Sequence, residues 1–239
     1  VGHTVIFGHT GAGKSTHQLM ILAQFMRYLN AQVFHFDIGY SALPLCSALG
    51  GNYFTIASDN TIGFTPFSDL DTDSDRVWAR EWIESVLKLN GIDLTPNQRN
   101  EIWDAVLNMA ASDKDDGNSR SISGFVHKIQ DRAIRDVFQD YAGGGTYGYL
   151  LDAKENRLQF SRFNVFDLTD LMKKEDRIVI PVFMYLFRCV FKNLDGSPTL
   201  FSVDEGSEAL GHPVFQKTMV KALKQYRKEN CAFLISTHS

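Results

Sequence analysis

Cysteine is scarce in this 239-residue chain. Cys46, Cys189 and Cys231 are far apart, odd in number and contain no C-x-x-C pair. That excludes a disulfide framework and a cysteine-based zinc site, and it fits a reducing compartment. A charge excess of one sign is also missing. Lys and Arg number 24 against 28 Asp and Glu, a net charge of −4. This argues against a binder that is basic over its whole surface, but leaves room for a local basic groove. No apolar run reaches the length of a bilayer span. The longest, residues 178–191, contains Pro181 and Arg188 and falls short of the roughly 20 residues required. A buried helix is the expectation there. The opening residues, Val1-Gly2-His3-Thr4-Val5-Ile6-Phe7, have no charged start, no cleavage site and no initiator Met. They read as the first strand of an excised domain, not as a signal peptide. His3, His17, His35, His127 and His212 form no H-x-x-x-H spacing, so no zinc site is expected. Repeats and low-complexity tracts are absent as well.

What is present is an ordinary globular composition, 44% hydrophobic and 22% charged. The charge is unevenly spread. Residues 69–140 hold 15 acidic and 9 basic side chains, and the rest of the chain holds 13 and 15. Short apolar runs at 3–7, 31–37, 198–204 and 231–236 predict buried strands. With helix-like stretches such as 15–28 between them, they predict a parallel, doubly wound sheet. The acidic middle reads as helical. Val77, Trp78, Trp82, Ile83, Val86 and Leu87 recur at helical spacing, and Thr95-Pro96 is a helix-start signal. The stretch 122–141 predicts another amphipathic helix, and 147–160 a short hairpin. The apolar stripes of these helices read as core.

The sharpest motif is Gly8-His9-Thr10-Gly11-Ala12-Gly13-Lys14-Ser15-Thr16, which matches G-x-x-x-x-G-K-[ST] between an apolar strand and a helix. Glycines let such a loop curl until several backbone N–H groups face one phosphate, and the helix N-terminus adds partial positive charge. The backbone at Gly8, Thr10, Gly11, Ala12 and Gly13 is therefore a phosphate cradle. Lys14 reaches the β- and γ-phosphates, Ser15 is a ligand for Mg²⁺, and Thr16 helps to hold the α-phosphate. The side chains of His9 and Thr10 sit at variable positions and have no assigned chemistry.

A second apolar strand runs from Pro198 to Val203 and ends in Asp204-Glu205. In a hydrolase with a P-loop, an acid at that place holds Mg²⁺, and the neighbouring acid accepts a proton from the attacking water. Asp204 and Glu205 are the candidates. The plainer alternative is a pair of exposed carboxylates at a strand end. A third strand, 231–236, leads to His238, a candidate γ-phosphate sensor or simply a solvent-exposed histidine. Lys217, Lys221, Lys224 and Lys228 share one helix face. That face reads first as solvated, and otherwise as an interface or a polyanion contact. Arg227 beside it is a candidate trans-acting arginine.

The chain resembles the motor domain of the TrbE/CagE-type conjugative-transfer ATPases of type IV secretion systems. The matching residues run nearly end to end: the P-loop, Phe36-Asp37-Ile38-Gly39-Tyr40-Ser41, Thr65-Pro66-Phe67, Gly145-Thr146-Tyr147-Gly148, Phe166-Asp167-Leu168, the segment from Pro181 to Arg188, Leu194-Asp195-Gly196-Ser197-Pro198-Thr199, Asp204-Glu205, Tyr226-Arg227-Lys228-Glu229-Asn230 and Ser236-Thr237-His238-Ser239. Three positions depart from the family pattern. Gly206-Ser207 replaces an aromatic after Asp-Glu, His238 stands where Gln is usual, and Thr65 where Asn precedes the proline. The resemblance implies a RecA-like P-loop NTPase with a three-layer αβα core and a helical insertion, divided as core 1–68, insertion 69–145 and a truncated C-terminal portion of the core, 146–239. It implies ATP and Mg²⁺ as cofactors and ATP hydrolysis that powers pilus assembly and substrate transfer. Assembly as a hexamer or dimer and contact with other inner-membrane components of the apparatus are implied too, as is a place at the cytoplasmic face of the bacterial inner membrane. Arg227 and His238 are motor motifs in that family. Two other functions share the motifs: a DNA-pumping motor of the coupling-protein or HerA/FtsK kind, and a nucleotide-binding scaffold without turnover. The acidic middle argues against the first, and the intact acid pair against the second.

Overall fold

The structure, a computed structural model, describes residues 2–58, 62–113, 118–205, 220 and 229–237. In chain order the elements are β1 (Thr4–Phe7), α1 (Lys14–Phe25), β2 (Gln32–Asp37), α2 (Leu43–Ala48), β3 (Asn52–Thr55), α3 (Asp73–Leu89), α4 (Pro96–Ala110), α5 (Ile122–Lys128), α6 (Arg132–Gln139), α7 (Gly148–Leu151), β4 (Phe163–Asp167), α8 (Asp176–Lys192), β5 (Thr199–Val203) and β6 (Cys231–Thr237). The described residues fall into two compact units. One is drawn from residues up to 61, 159–174 and from 186 onward, and the other from 62–158 and 175–185.

The first unit is a six-stranded sheet in the order β1-β6-β5-β2-β4-β3, with every pairing parallel. The four strands expected from the apolar runs are all present. Two more, β3 and β4, come from Asn-Tyr-Phe-Thr and Phe-Asn-Val-Phe-Asp, whose polar residues obscure a buried run. Alternation along each strand builds two unlike faces. On one face Val33, Phe163, Val165, Leu200, Ala232 and Leu234 pack with Leu22 of α1 and with Ala42 and Cys46 at α2. On the other, Phe36 and Phe201 meet Phe187 of α8 at ring-centroid distances of 5.3 and 4.9 Å. Helices thus cover both faces of the sheet, giving the expected three layers. The three cysteines are free thiols. Burial raises the Cys46 thiol and pushes Cys231 up to about 12, so neither is a ready thiolate.

The second unit holds α3 to α7, which in sequence separate β3 from β4. Thr72 and Thr95 start α3 and α4 with reciprocal capping boxes to Asp75 and Gln98. Trp82 is fully buried between Phe67 and Phe138. Pro181 lies inside α8 and cannot donate to the carbonyl of Arg177. The Tyr141 hydroxyl donates to that carbonyl instead, at 2.7 Å.

Two expectations are corrected here. The single helix over 122–141 is two helices. Ile129 is extended, Asp131 caps α6 by accepting from the Ile134 N–H, and Glu101 draws in the N–H groups of Gln130 and Asp131. The hairpin over 147–160 does not form. Residues 148–151 make one helical turn, and the backbone there bonds to Phe64, through Phe64 N–H to Leu150 O and Ala153 N–H to Phe64 O. Gly148 allows this because a Cβ would meet the Ala142 carbonyl oxygen at 1.9 Å. No helix among the described residues is long and apolar enough to cross a membrane.

Candidate functional site

The parallel sheet sets the C-terminal ends of β1, β2, β4, β5 and β6 along one edge, where open α/β sheets bind ligands. The loop after β1 is the glycine-rich one. Gly11 and Gly13 have φ of 78° and 81°, a conformation that side-chain-bearing residues rarely adopt. Gly13 is the N-cap of α1. That helix has no side-chain cap and no acidic residue in its first turn, so no carboxylate of its own offsets the positive helix end. Lys14 folds back into the loop, and its ammonium donates to the carbonyls of Gly8 at 2.9 Å and His9 at 3.0 Å. Ser15 and Thr16 follow on the first turn, half-buried and exposed.

The acid pair sits one residue beyond the end of β5. Strand β6 lies between β5 and β1, with Phe7 opposite Thr237. Two strand spacings, roughly 10 Å, therefore separate the P-loop strand from the acid strand. Asp204 is 3% exposed and is fixed from three sides. Its N–H donates to Phe36 O at 2.9 Å, the Ser236 hydroxyl donates to its carboxylate, and the Glu205 N–H donates to its Oδ1 at 3.0 Å. Glu205 has φ 49°, which is uncommon for a residue other than glycine and is the kind of strain found at functional sites. Its N–H also reaches Ser236 Oγ at 3.2 Å, and its side chain is half-buried.

Behind the acids lies a polar patch that motif reading missed. Gln18 of α1 is fully buried and donates to Ser202 Oγ at 2.6 Å and Val203 O at 3.1 Å. His35 Nδ1 lies 3.1 Å from the same hydroxyl. Burial pushes the His35 pKa down, against the opposing pull of Asp37 and Asp204. Asp37, fully buried, accepts from Ser41 Oγ at 2.6 Å and from Ala42 N–H at 2.9 Å, which anchors the entry to α2. Asp167, its register partner on β4, accepts from the Tyr53 hydroxyl and from Thr169. The available signal was alternation. His35, Asp37, Ser202 and Asp204 are polar residues two apart at the ends of apolar strands.

The structure therefore brings Gly8 to Thr16, Asp204 and Glu205 to one edge of the sheet. Arg227 and His238 lie outside the described residues, as do Lys217, Lys221, Lys224 and Lys228. Among the described residues no cluster of three His, Cys, Asp or Glu side chains could hold a metal by itself.

A glycine-rich loop opening a helix, on a parallel sheet with an acid pair two strands away, defines a P-loop NTPase fold. The TraG P-loop domain family matches residues 2–101. Over its whole length the chain is similar to TrbE conjugal transfer proteins. It is 44% identical over 244 residues to a probable conjugal transfer protein TrbE of Sinorhizobium fredii, covering all of this chain and 36% of that protein. The chain thus spans about a third of that relative's length. VirB4 of Thermoanaerobacter pseudethanolicus has a similar fold, with a TM-score of 0.80 at 18% identity over 99% of this chain and 70% of that one. The plasmid coupling protein TrwB, in complex with ADP and Mg²⁺, superposes with a TM-score of 0.59 at 14% identity over 99% of this chain and 63% of that one.

Proposed function

We propose that this chain is the ATP-hydrolysing portion of a type IV secretion or conjugation motor. The observation that carries the reading is the sheet order. It sets the P-loop and the Asp204-Glu205 pair on one edge, with Ser236 of the intervening strand gripping both acids. The residues suit the ligands. The backbone of 8–13 and the uncapped start of α1 suit a triphosphate, while the Ser15 hydroxyl and Asp204 carboxylate are hard oxygen donors of the kind Mg²⁺ takes. The ion would supply charge neutralisation on the phosphates. Lys14 and the loop N–H groups orient the phosphates and stabilise charge on them. Glu205, held in an unusual backbone conformation beside Asp204, accepts the proton of the attacking water. His238 senses the γ-phosphate and Arg227 reaches a neighbouring subunit's site. The similarity to TrbE and the TrwB complex with ADP and Mg²⁺ support the choice of nucleotide and system.

The motor acts as a hexamer or dimer, peripheral to the cytoplasmic face of the inner membrane, among other components of the apparatus. The acidic helical stretch 69–145 is the surface that meets them. Phosphate release by the full-length protein tests the reading. Lys14→Ala abolishes turnover, and Glu205→Gln binds ATP and holds it unhydrolysed. Unchanged hydrolysis in the Lys14 variant overturns the proposal.

A further inference from the structure

We infer that Gln18 is a positioning residue that locks the P-loop helix to the strand carrying the acid pair. This deepens the hydrolytic reading above and rests on it.

The buried stripe of α1 is Lys14, Gln18 and Leu22, each four residues after the last. Leu22 packs into the aliphatic cluster, which is what a helix lying on a sheet requires. Gln18 breaks that pattern. A fully buried amide adds nothing to apolar packing and is costly unless hydrogen-bonded; here Nε2 is bonded, whereas Oε1 has no partner. Both bonds of its Nε2 end on the last two residues of β5, Ser202 and Val203, and the next residue is Asp204. Ser202 Oγ also lies 3.1 Å from Nδ1 of His35, its register partner on β2. The tip of β5 is thereby fixed to the helix that begins with Lys14 and Ser15. Removing the amide leaves α1 able to slide against β5 and changes the distance between the P-loop groups and the acids. A misplacement of about 1 Å in such a site costs on the order of 100-fold in rate. The phosphate cradle itself precedes Gln18 in sequence and holds its own geometry through Gly11, Gly13 and Lys14.

The expected signature is therefore a split. In the full-length protein, Gln18→Met lowers kcat by roughly 10- to 100-fold. KM for ATP moves less than about threefold, and the Mg²⁺ concentration needed for half-maximal turnover rises. A merely structural role predicts something else. Deleting one partner of a buried hydrogen bond destabilises, whereas replacing both by apolar groups is close to neutral. The double variant Gln18→Met/Ser202→Ala removes both partners of that bond but leaves His35 Nδ1 without its hydroxyl, so its turnover is compared per folded molecule. It stays slow if Gln18 positions the acids, and recovers wild-type kcat if it only stabilises the fold, which overturns the inference. If Gln18→Met does not fold, Ser202→Ala alone, which keeps the bond to Val203, decides. A kcat loss of a few-fold at unchanged KM supports the inference, and wild-type kcat overturns it. Wild-type protein that binds ATP but never hydrolyses it overturns the hydrolytic reading first, and this inference with it.

Discussion

The two faces of the sheet are built from the same strands and do opposite things. On the face covered by α8, Phe34, Phe36, Phe166, Phe201 and Phe233 form a continuous aromatic layer. Phe36 stacks on Phe166 at 4.8 Å, and Phe201 lies 5.0 Å from Phe233 and 4.9 Å from Phe187. On the face covered by α1, each strand changes character along its length. Val33 is followed two residues on by His35 and then Asp37, Leu200 by Ser202 and then Asp204, and Ala232 and Leu234 by Ser236. The aromatic face carries Asn164 and Thr199 at one end but stays apolar toward the loops, and it holds the sheet together. The other face is aliphatic at one end and polar where the loops emerge, so one face supplies stability while the other grades from core into site.

The comparison breaks most readily at Phe201. Phe201→Ala removes a fully buried ring from the centre of the aromatic layer and is expected to cost about 3–5 kcal/mol. Urea denaturation reads this directly. Nucleotide affinity and turnover per folded molecule stay at wild-type values, because Phe201 points away from the site face. A matching loss of turnover at full occupancy of the folded state would show that the faces are not separable. Ser236→Ala is the mirror experiment. Its hydroxyl bonds the Asp204 carboxylate and receives the Glu205 N–H, and a hydrogen bond to a charged group contributes about 1.5–3 kcal/mol. The stability loss is therefore expected to be smaller, about 2 kcal/mol, while turnover falls more than it does in Phe201→Ala.

The contrast between the faces also explains what the sequence revealed. The P-loop and the acid pair were readable because their chemistry requires fixed residues at fixed spacing beside an apolar run. The four strongest strands were readable because parallel strands buried on both faces are continuously apolar. β4 was not, since Asn164 and Asp167 interrupt its run. Asn164 bonds Val33 O and Ser161 O, a partnership that only the folded chain creates. The polar patch was hidden for the same reason. Gln18, His35, Ser202 and Ser236 come from four elements separated by up to 218 positions, and no local pattern links them. The hairpin over 147–160 failed because a glycine pair, Gly145 and Gly148, serves close backbone approach there and not strand turning.

The smallest predicted effect is the most specific to the site face. His35 is 1% exposed, and its Nε2 lies 3.8 Å from Asp37 Oδ1, too far for a hydrogen bond. Burial lowers its pKa in the folded protein despite Asp37 and Asp204, so the native ring is neutral. The unfolded chain has the ordinary histidine value near 6.5. Below that pH the unfolded state binds the proton more readily than the folded one, and stability therefore rises with pH. The contribution is fully present above about 6.5 and is lost as pH falls toward the folded value, at roughly 1.4 kcal/mol per pH unit at most. Urea midpoints at pH 7.5 and 5.5 should differ accordingly in the wild type and in Phe201→Ala, whose lesion lies on the other face. In His35→Gln, where the amide can still meet Ser202, the difference should shrink. An equal pH dependence in His35→Gln and wild type would place the titrating group elsewhere and remove His35 from the account of the polar face.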